Sequence, residues 1–350
     1  MNFISDNSVG VAPEIMSALM EANRGPSMPY GNDDWTRRVE RKMADIFERE
    51  VRVFPVATGT AANALSIATL VPPYGSLYAH EEAHVMADEC GAPEFYSGGK
   101  LRPLPGAHGK LTPEVLDRAL TRDNSGDVHQ VIPTAISITQ ATEAGTVYKP
   151  AELQAIAEVA RRHKVRLHMD GARFANAMAF FGVPARQATW EAGIDVLSFG
   201  ATKGGCMAAE AVVFFDPKLA ESFGHRRMRG GHLVSKMRFV SAQLEAYLSD
   251  GLWLKLARHA NAMAQRLAQG LTAALPRLPG AKLLHPVEAN ELFVQLPAGI
   301  IAGLRQAGFQ FYDWPAEEGQ AIRLVTAFNT EAADVERLLK TLAELVGQAA

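Results

Sequence analysis

Cysteine is nearly absent: Cys90 and Cys206 are the only two in 350 residues, and they lie far apart. That excludes a disulfide framework and any multi-cysteine zinc site. Cys206 follows Lys203 closely and is read as a small buried thiol rather than a redox centre. An excess of charge of one sign is lacking as well. Lysine and arginine total 35 against 38 aspartates and glutamates, a formal net charge of -3, so nothing favours a nucleic acid or an anionic membrane surface as partner. No apolar run is long enough to span a bilayer. The opening Met1-Asn2-Phe3-Ile4-Ser5-Asp6 has neither the basic nor the apolar region of a secretory signal, so a cytoplasmic protein is expected. What is present is an ordinary globular composition, 48% hydrophobic, whose length suggests one large domain and a smaller one.

The most informative stretch is 195–205, DVLSFGATKGG, an apolar run that ends in a small-residue loop carrying one lysine. Such a run reads as a buried strand, and residues just past it sit at a mouth rather than in the core. Lys203, desolvated by apolar and small neighbours, would be a nucleophilic amine able to form a Schiff base; the alternative is a solvated loop lysine. Upstream, 51–57 reads as a strand running into Thr58-Gly59-Thr60 and a helix. A helix N-terminus offers unpaired N–H groups and a partial positive charge to a phosphate, although a simple cap looks the same in sequence.

Residues 80–84, HEEAH, satisfy the H-E-x-x-H pattern of zinc peptidases. They follow directly on a strand-like segment, where a zincin needs them inside a helix with a third ligand further on. His84 also reads as a histidine packed for structure alone. Further along, a strand is expected near 95–97, a helix at 113–120, a strand at 131–139, a helix from Lys149-Pro150 to about 163, and a strand at 165–170. This alternation is that of a mostly parallel sheet with helices on its faces, and ligands collect at the carboxyl ends of such strands. Asp170 stands at one of those ends, with a turn or capping aspartate as the plainer reading. His168, on the same strand, reads as structural. A strand at 208–215 precedes the basic run 225–232, which reads as a solvated face. A long helical stretch, 235–275, breaks near 249–252, and 280–350 reads strand, strand, helix, strand, helix. The domains are expected at 1–250 and 251–350.

Thr58-Gly59-Thr60, His84, Asp170-Gly171-Ala172-Arg173, Lys203 and Arg323 stand in the order found in fold-type-I enzymes that use pyridoxal phosphate. Within that class the chain resembles the threonine aldolase and β-eliminating lyase family, from Ser5-Asp6-Asn7 to Arg323-Leu324-Val325-Thr326. The resemblance implies an α/β fold, a mostly parallel sheet in a large pyridoxal-phosphate-binding domain with a smaller α+β C-terminal domain. It implies that Lys203 carries the cofactor, Gly59 and Thr60 cradle its phosphate, Asp170 faces the pyridine nitrogen, and His84 lies over the ring and moves protons. Arg173, which also belongs to the cofactor's surroundings, and Arg323 would bind the substrate's α-carboxylate with help from Ser5. Tyr30 would lie near an active site, often a neighbouring subunit's, and Arg229, His232 or Lys236 would reach a phosphate across an interface.

The implied activity is cleavage of L-threonine, L-allo-threonine or a related L-β-hydroxy-α-amino acid to glycine and an aldehyde, in a homotetramer built from dimers that share active sites. Some relatives carry, near the position of Glu143, a histidine that contacts the substrate's hydroxyl; this chain departs from them, so its choice between Cβ epimers stays open. Three other readings stand beside this one. They are a β-eliminating lyase releasing ammonia and a 2-oxo acid, a zinc peptidase that would carry stoichiometric zinc, and a non-catalytic protein that has kept the fold.

Overall fold

The buried runs form a seven-stranded sheet in the computed structural model, which describes every residue except Ser125, Glu317, Glu318 and Ala350. Its strands are β1 (Arg52–Val56), β2 (Gly75–His80), β3 (Lys100–Leu104), β4 (Ile132–Thr139), β5 (Arg166–Gly171), β6 (Val196–Gly200) and β7 (Glu210–Phe214), in the order β1-β7-β6-β5-β4-β2-β3. Strands β2 to β6 are parallel, whereas β7 is antiparallel to both of its neighbours. β2, β6 and β7 are buried along their whole length, because helices cover both faces of the sheet and no side needs to alternate toward water. The helix Gly59–Leu70 is itself apolar nearly all round and buried, as a helix must be when it lies between a sheet and further helices.

A second, four-stranded antiparallel sheet follows. It contains β8 (Lys282–Leu283), β9 (Glu291–Gln295), β10 (Tyr312–Trp314) and β11 (Ala321–Val325), in the order β10-β11-β9-β8. Two departures from the sequence reading have simple causes. Residues 95–97 belong to a helix, Ala92–Ser97, which starts with Pro93 in its first turn and is bounded by Gly91 and Gly98, both left-handed. β10 escapes the sequence because it is a three-residue edge strand exposed along most of its length, with no apolar alternation to mark it.

The helical stretch divides into Arg238–Leu248 and Leu252–Ala274 at a turn whose Asp250 and Gly251 have φ of 51° and 67°. The second helix serves two cores. Trp253, Leu256 and Ala257 pack under the large sheet, while Ala264, Leu267 and Leu271 pack with Leu292, Val294 and Leu324 of the small one. The N-terminal arm joins the small core too. Phe3 is buried there, its N–H donates to the Gln310 carbonyl at 2.9 Å, and its own carbonyl accepts from Val325 N–H at 2.9 Å. That docking delivers the next residues, Ser5 and Asp6, to the carboxyl edge of the large sheet. No helix among the described residues is long and apolar enough to cross a membrane.

Candidate active site

Strand ends and one helix N-terminus converge on a cavity of about 910 Å³, lined by Ser5, Gly59, Thr60, His84, Asp170, Arg173, Lys203 and Arg323 among others. They come from several separate pieces of chain. Lys203 follows β6 in a loop whose small residues have a packing reason: a Cβ on Gly204 would lie 1.9 Å from the Tyr247 hydroxyl, and Gly205 has φ of 121°. The Lys203 side chain makes no hydrogen bond or ion pair among the described residues. Asp170 stands one residue before the end of β5; its Oδ1 accepts from Ala172 N–H at 3.0 Å and its Oδ2 from Asn63 Nδ2 at 2.7 Å.

Thr58 caps the helix Gly59–Leu70, its side chain accepting from Ala61 N–H at 3.1 Å. The N–H groups of Gly59 and Thr60 therefore remain without a partner among the described residues, and a Cβ on Gly59 would meet no atom within 4 Å. An anion fits there on both counts, space and donors.

His84 opens the short helix His84–Ala87. Its Nδ1 pairs with the buried Glu89 at 2.9 Å, and that bond raises the histidine pKa above its ordinary value. The same Glu89 oxygen accepts from Asn63 Nδ2 at 2.8 Å, so Asn63 ties Glu89 to Asp170. The zinc-peptidase pattern does not survive this geometry. His80 ends β2 rather than sharing a helix with His84, its Nε2 pairs with the Gly106 carbonyl at 2.9 Å, and its Nδ1 accepts from Glu82 N–H at 3.1 Å.

Three further carboxyls line the cavity: Glu143, half-buried, whose position the sequence marks only as a departure from relatives, and the buried Glu210 and Glu291, which sequence reasoning missed. Glu143 accepts from the His84 backbone N–H at 2.8 Å through Oε1, while its buried Oε2 has no partner among the described residues. Burial and then the charge of Asp170 push its pKa up to about 7. Burial likewise pushes Glu210, whose Oε2 accepts from Ala201 N–H at 3.2 Å, up to about 7. Glu291 lies between Arg173 and Arg323, with nearest N···O separations of 3.0 and 3.7 Å. Arg173 also grips Asp6 through two bonds of 2.8 and 2.9 Å. Against the upward pull of burial, Arg173 and Lys203 hold the Asp6 carboxyl below the ordinary range.

Tyr30, Arg229, His232 and Lys236 are not brought to this cavity. Tyr30 lies half exposed in a left-handed turn with Gly31, pinned by its N–H to the Ser235 carbonyl at 3.0 Å. Nor is the basic run wholly a solvated face. Arg227 is buried, lies over the Phe54 ring at 5.3 Å and donates to the Pro55 carbonyl at 3.1 Å; burial lowers its pKa to about 10. Arg229 and Lys236 are exposed, with His232 between the two extremes. His168 is structural: Ser137 and Ser198 hydroxyls hold its two ring nitrogens, each at 2.9 Å, and burial lowers its pKa to about 4.

The family described as "Beta-eliminating lyase" matches residues 2–298 of this chain. The chain is 44% identical to a "Low specificity L-threonine aldolase" of Pseudomonas sp. (strain NCIMB 10558), over 96% of this chain and 95% of that protein. It is also 44% identical to a protein of the same name from Pseudomonas aeruginosa, over 99% and 98%. Among solved structures, the threonine aldolase of Leishmania major superimposes with a TM-score of 0.92 at 30% identity, covering 99% of each chain.

Proposed function

Because this chain belongs to the β-eliminating lyase family, we propose that it is a pyridoxal-phosphate-dependent aldolase, cleaving L-threonine and related L-β-hydroxy-α-amino acids to glycine and an aldehyde. One observation carries the reading: a lone lysine, a helix N-terminus with free N–H groups, a buried aspartate, a histidine backed by a buried glutamate and two arginines line one cavity, the backing glutamate lying behind it. The residues present fit the cofactor. Gly59 and Thr60 would hold its phosphate, Lys203 Nζ its aldehyde carbon, and Asp170, oriented by Asn63 and Ala172, its pyridine nitrogen. Bound there, pyridoxal phosphate supplies a sink for the electron pair left when the substrate's Cα–Cβ bond breaks.

The protein's own groups do the rest. Arg323 and Arg173 bind the α-carboxylate and fix the substrate's orientation, assisted by Ser5. His84 takes the β-hydroxyl proton, and Glu89 stabilises the charged imidazole that results. Glu143, with one oxygen unspent beside His84, would face the same hydroxyl, near the position where some relatives carry a histidine. We further propose a cytoplasmic homotetramer with shared sites; Tyr30, outside the cavity of its own chain, would then serve a neighbour's. Gel filtration of a dilution series alongside activity tests this part, and full activity from isolated monomers would refute it.

The decisive assay mixes the holoenzyme with L-threonine and quantifies acetaldehyde and glycine against ammonia and 2-oxobutanoate. Equimolar acetaldehyde and glycine, lost in Lys203→Ala, is the expected result. Ammonia with 2-oxobutanoate would overturn the aldolase and leave an eliminating lyase.

A further inference from the structure

A substrate carboxylate entering this cavity meets arginines that are already occupied. Arg173 commits Nε and Nη2 to the two oxygens of Asp6, and its Nη1 lies 3.0 Å from Glu291. Arg323 faces the other oxygen of Glu291 at 3.7 Å and reaches the Ile4 carbonyl at 3.4 Å; its buried Nε has no partner among the described residues. Glu291 is 1% exposed, and neither of its oxygens forms a hydrogen bond there. Asp6 is held differently, by the two-pronged grip of Arg173 and a 3.0 Å bond from Asn290 Nδ2. Two arginines and two carboxylates are thus paired here, with Lys203 also acting on both carboxylates, and one more carboxylate shifts the group toward negative charge in a place with little water to screen it.

Resting on the aldolase reading for what enters the cavity, we propose that Glu291 is a positioning residue and a resident stand-in for the substrate's carboxylate. In the free protein it holds Arg173 and Arg323 side by side; when the substrate's carboxylate arrives, it yields the arginines and takes a proton from solvent. The charged groups acting on it come from four elements: Asp6 of the N-terminal arm, Arg173 ahead of the helix Phe174–Phe181, Arg323 of β11 and Lys203 after β6. Burial and Asp6 favour its neutral form, and Arg173, Arg323 and Lys203 oppose it, with burial the largest effect and the net direction upward. A further anion adds to the upward side. Asp6, held below the ordinary carboxylate range, is the poorer proton acceptor of the two. Anion binding is therefore coupled to uptake of a proton, and apparent affinity for a carboxylate falls as pH rises beyond the range where free Glu291 ionises.

The test uses 3-hydroxybutyrate, which has the threonine skeleton without the amine and so cannot condense with the cofactor or be cleaved. Calorimetric titration of the holoenzyme at about pH 8, in two buffers of different ionisation enthalpy, should show uptake of about one proton per site. Glu291→Gln should abolish the uptake and bind the probe roughly tenfold more tightly, the equivalent of one pKa unit. Uptake that persists in Glu291→Gln, weaker binding by that variant, or heats from the unmodified enzyme that do not depend on buffer would each overturn the proposal. Absence of saturable binding would do so too, since a carboxylate alone must displace Glu291. An enzyme that eliminated ammonia from threonine would still bind the probe with proton uptake, so the two failures are distinguishable.

Discussion

At the scale of single residues, the chemistry depends on how side chains from distant parts of the chain are paired. Glu89 raises the pKa of His84 through a 2.9 Å bond, and a base acts only when neutral, so the acidic limb of the rate profile should follow that bond. Glu89→Gln weakens it and should shift the acidic limb of kcat/KM to lower pH, measured as acetaldehyde release from L-threonine. A limb that stayed in place would remove His84 from the role of base. His84 and Lys203 were legible because each stands in a motif with a known spacing. Asn63, Glu89, Glu210 and Glu291 were not, because their sequence neighbours carry no motif, and Glu143 stood out only as a departure from relatives. Their meaning lies in contacts such as Asn63 to Asp170, made across 107 positions of chain.

At the scale of elements, the strands that end at the cavity were readable from apolar runs closed by small residues. What could not be read was why the residues are small. Gly204 leaves room for the Tyr247 hydroxyl, so the loop that carries Lys203 is shaped by a helix some forty residues further on. Gly204→Ala should destabilise the fold by about 1–3 kcal/mol, the usual range for overpacking. Adding Tyr247→Phe should recover part of the loss, since the buried hydroxyl has no partner among the described residues to forfeit. Urea unfolding of the single and double variants measures both; equal loss with and without Tyr247→Phe would mean the clash is relieved some other way. Conversely, the helix Ala92–Ser97 and the edge strand β10 were misread or missed because short elements are fixed by their caps and neighbours, not by periodicity.

At the scale of the whole molecule, the helix Leu252–Ala274 contributes side chains to both apolar cores, and the N-terminal arm is fastened to the small sheet while its next residues line the cavity. The arm's anchor is Phe3, 1% exposed. Phe3→Ala should cost about 3–5 kcal/mol of stability by the usual scale for a buried phenylalanine. It should also raise KM for the amino acid, because Asp6 loses its fixed place beside Arg173. A stability loss with KM unchanged would show that Asp6 holds its position without the arm.

The arm also fixes the order in which the protein can be completed on the ribosome. Phe3 is made long before Val325, whose N–H donates to the Phe3 carbonyl. Until β11 leaves the exit tunnel, Asp6 has no anchored approach to Arg173, and Arg323 is not free to join them. A nascent chain can therefore build the large sheet and its phosphate cradle first, while the surface that would receive the substrate's carboxylate closes only once β11 is available.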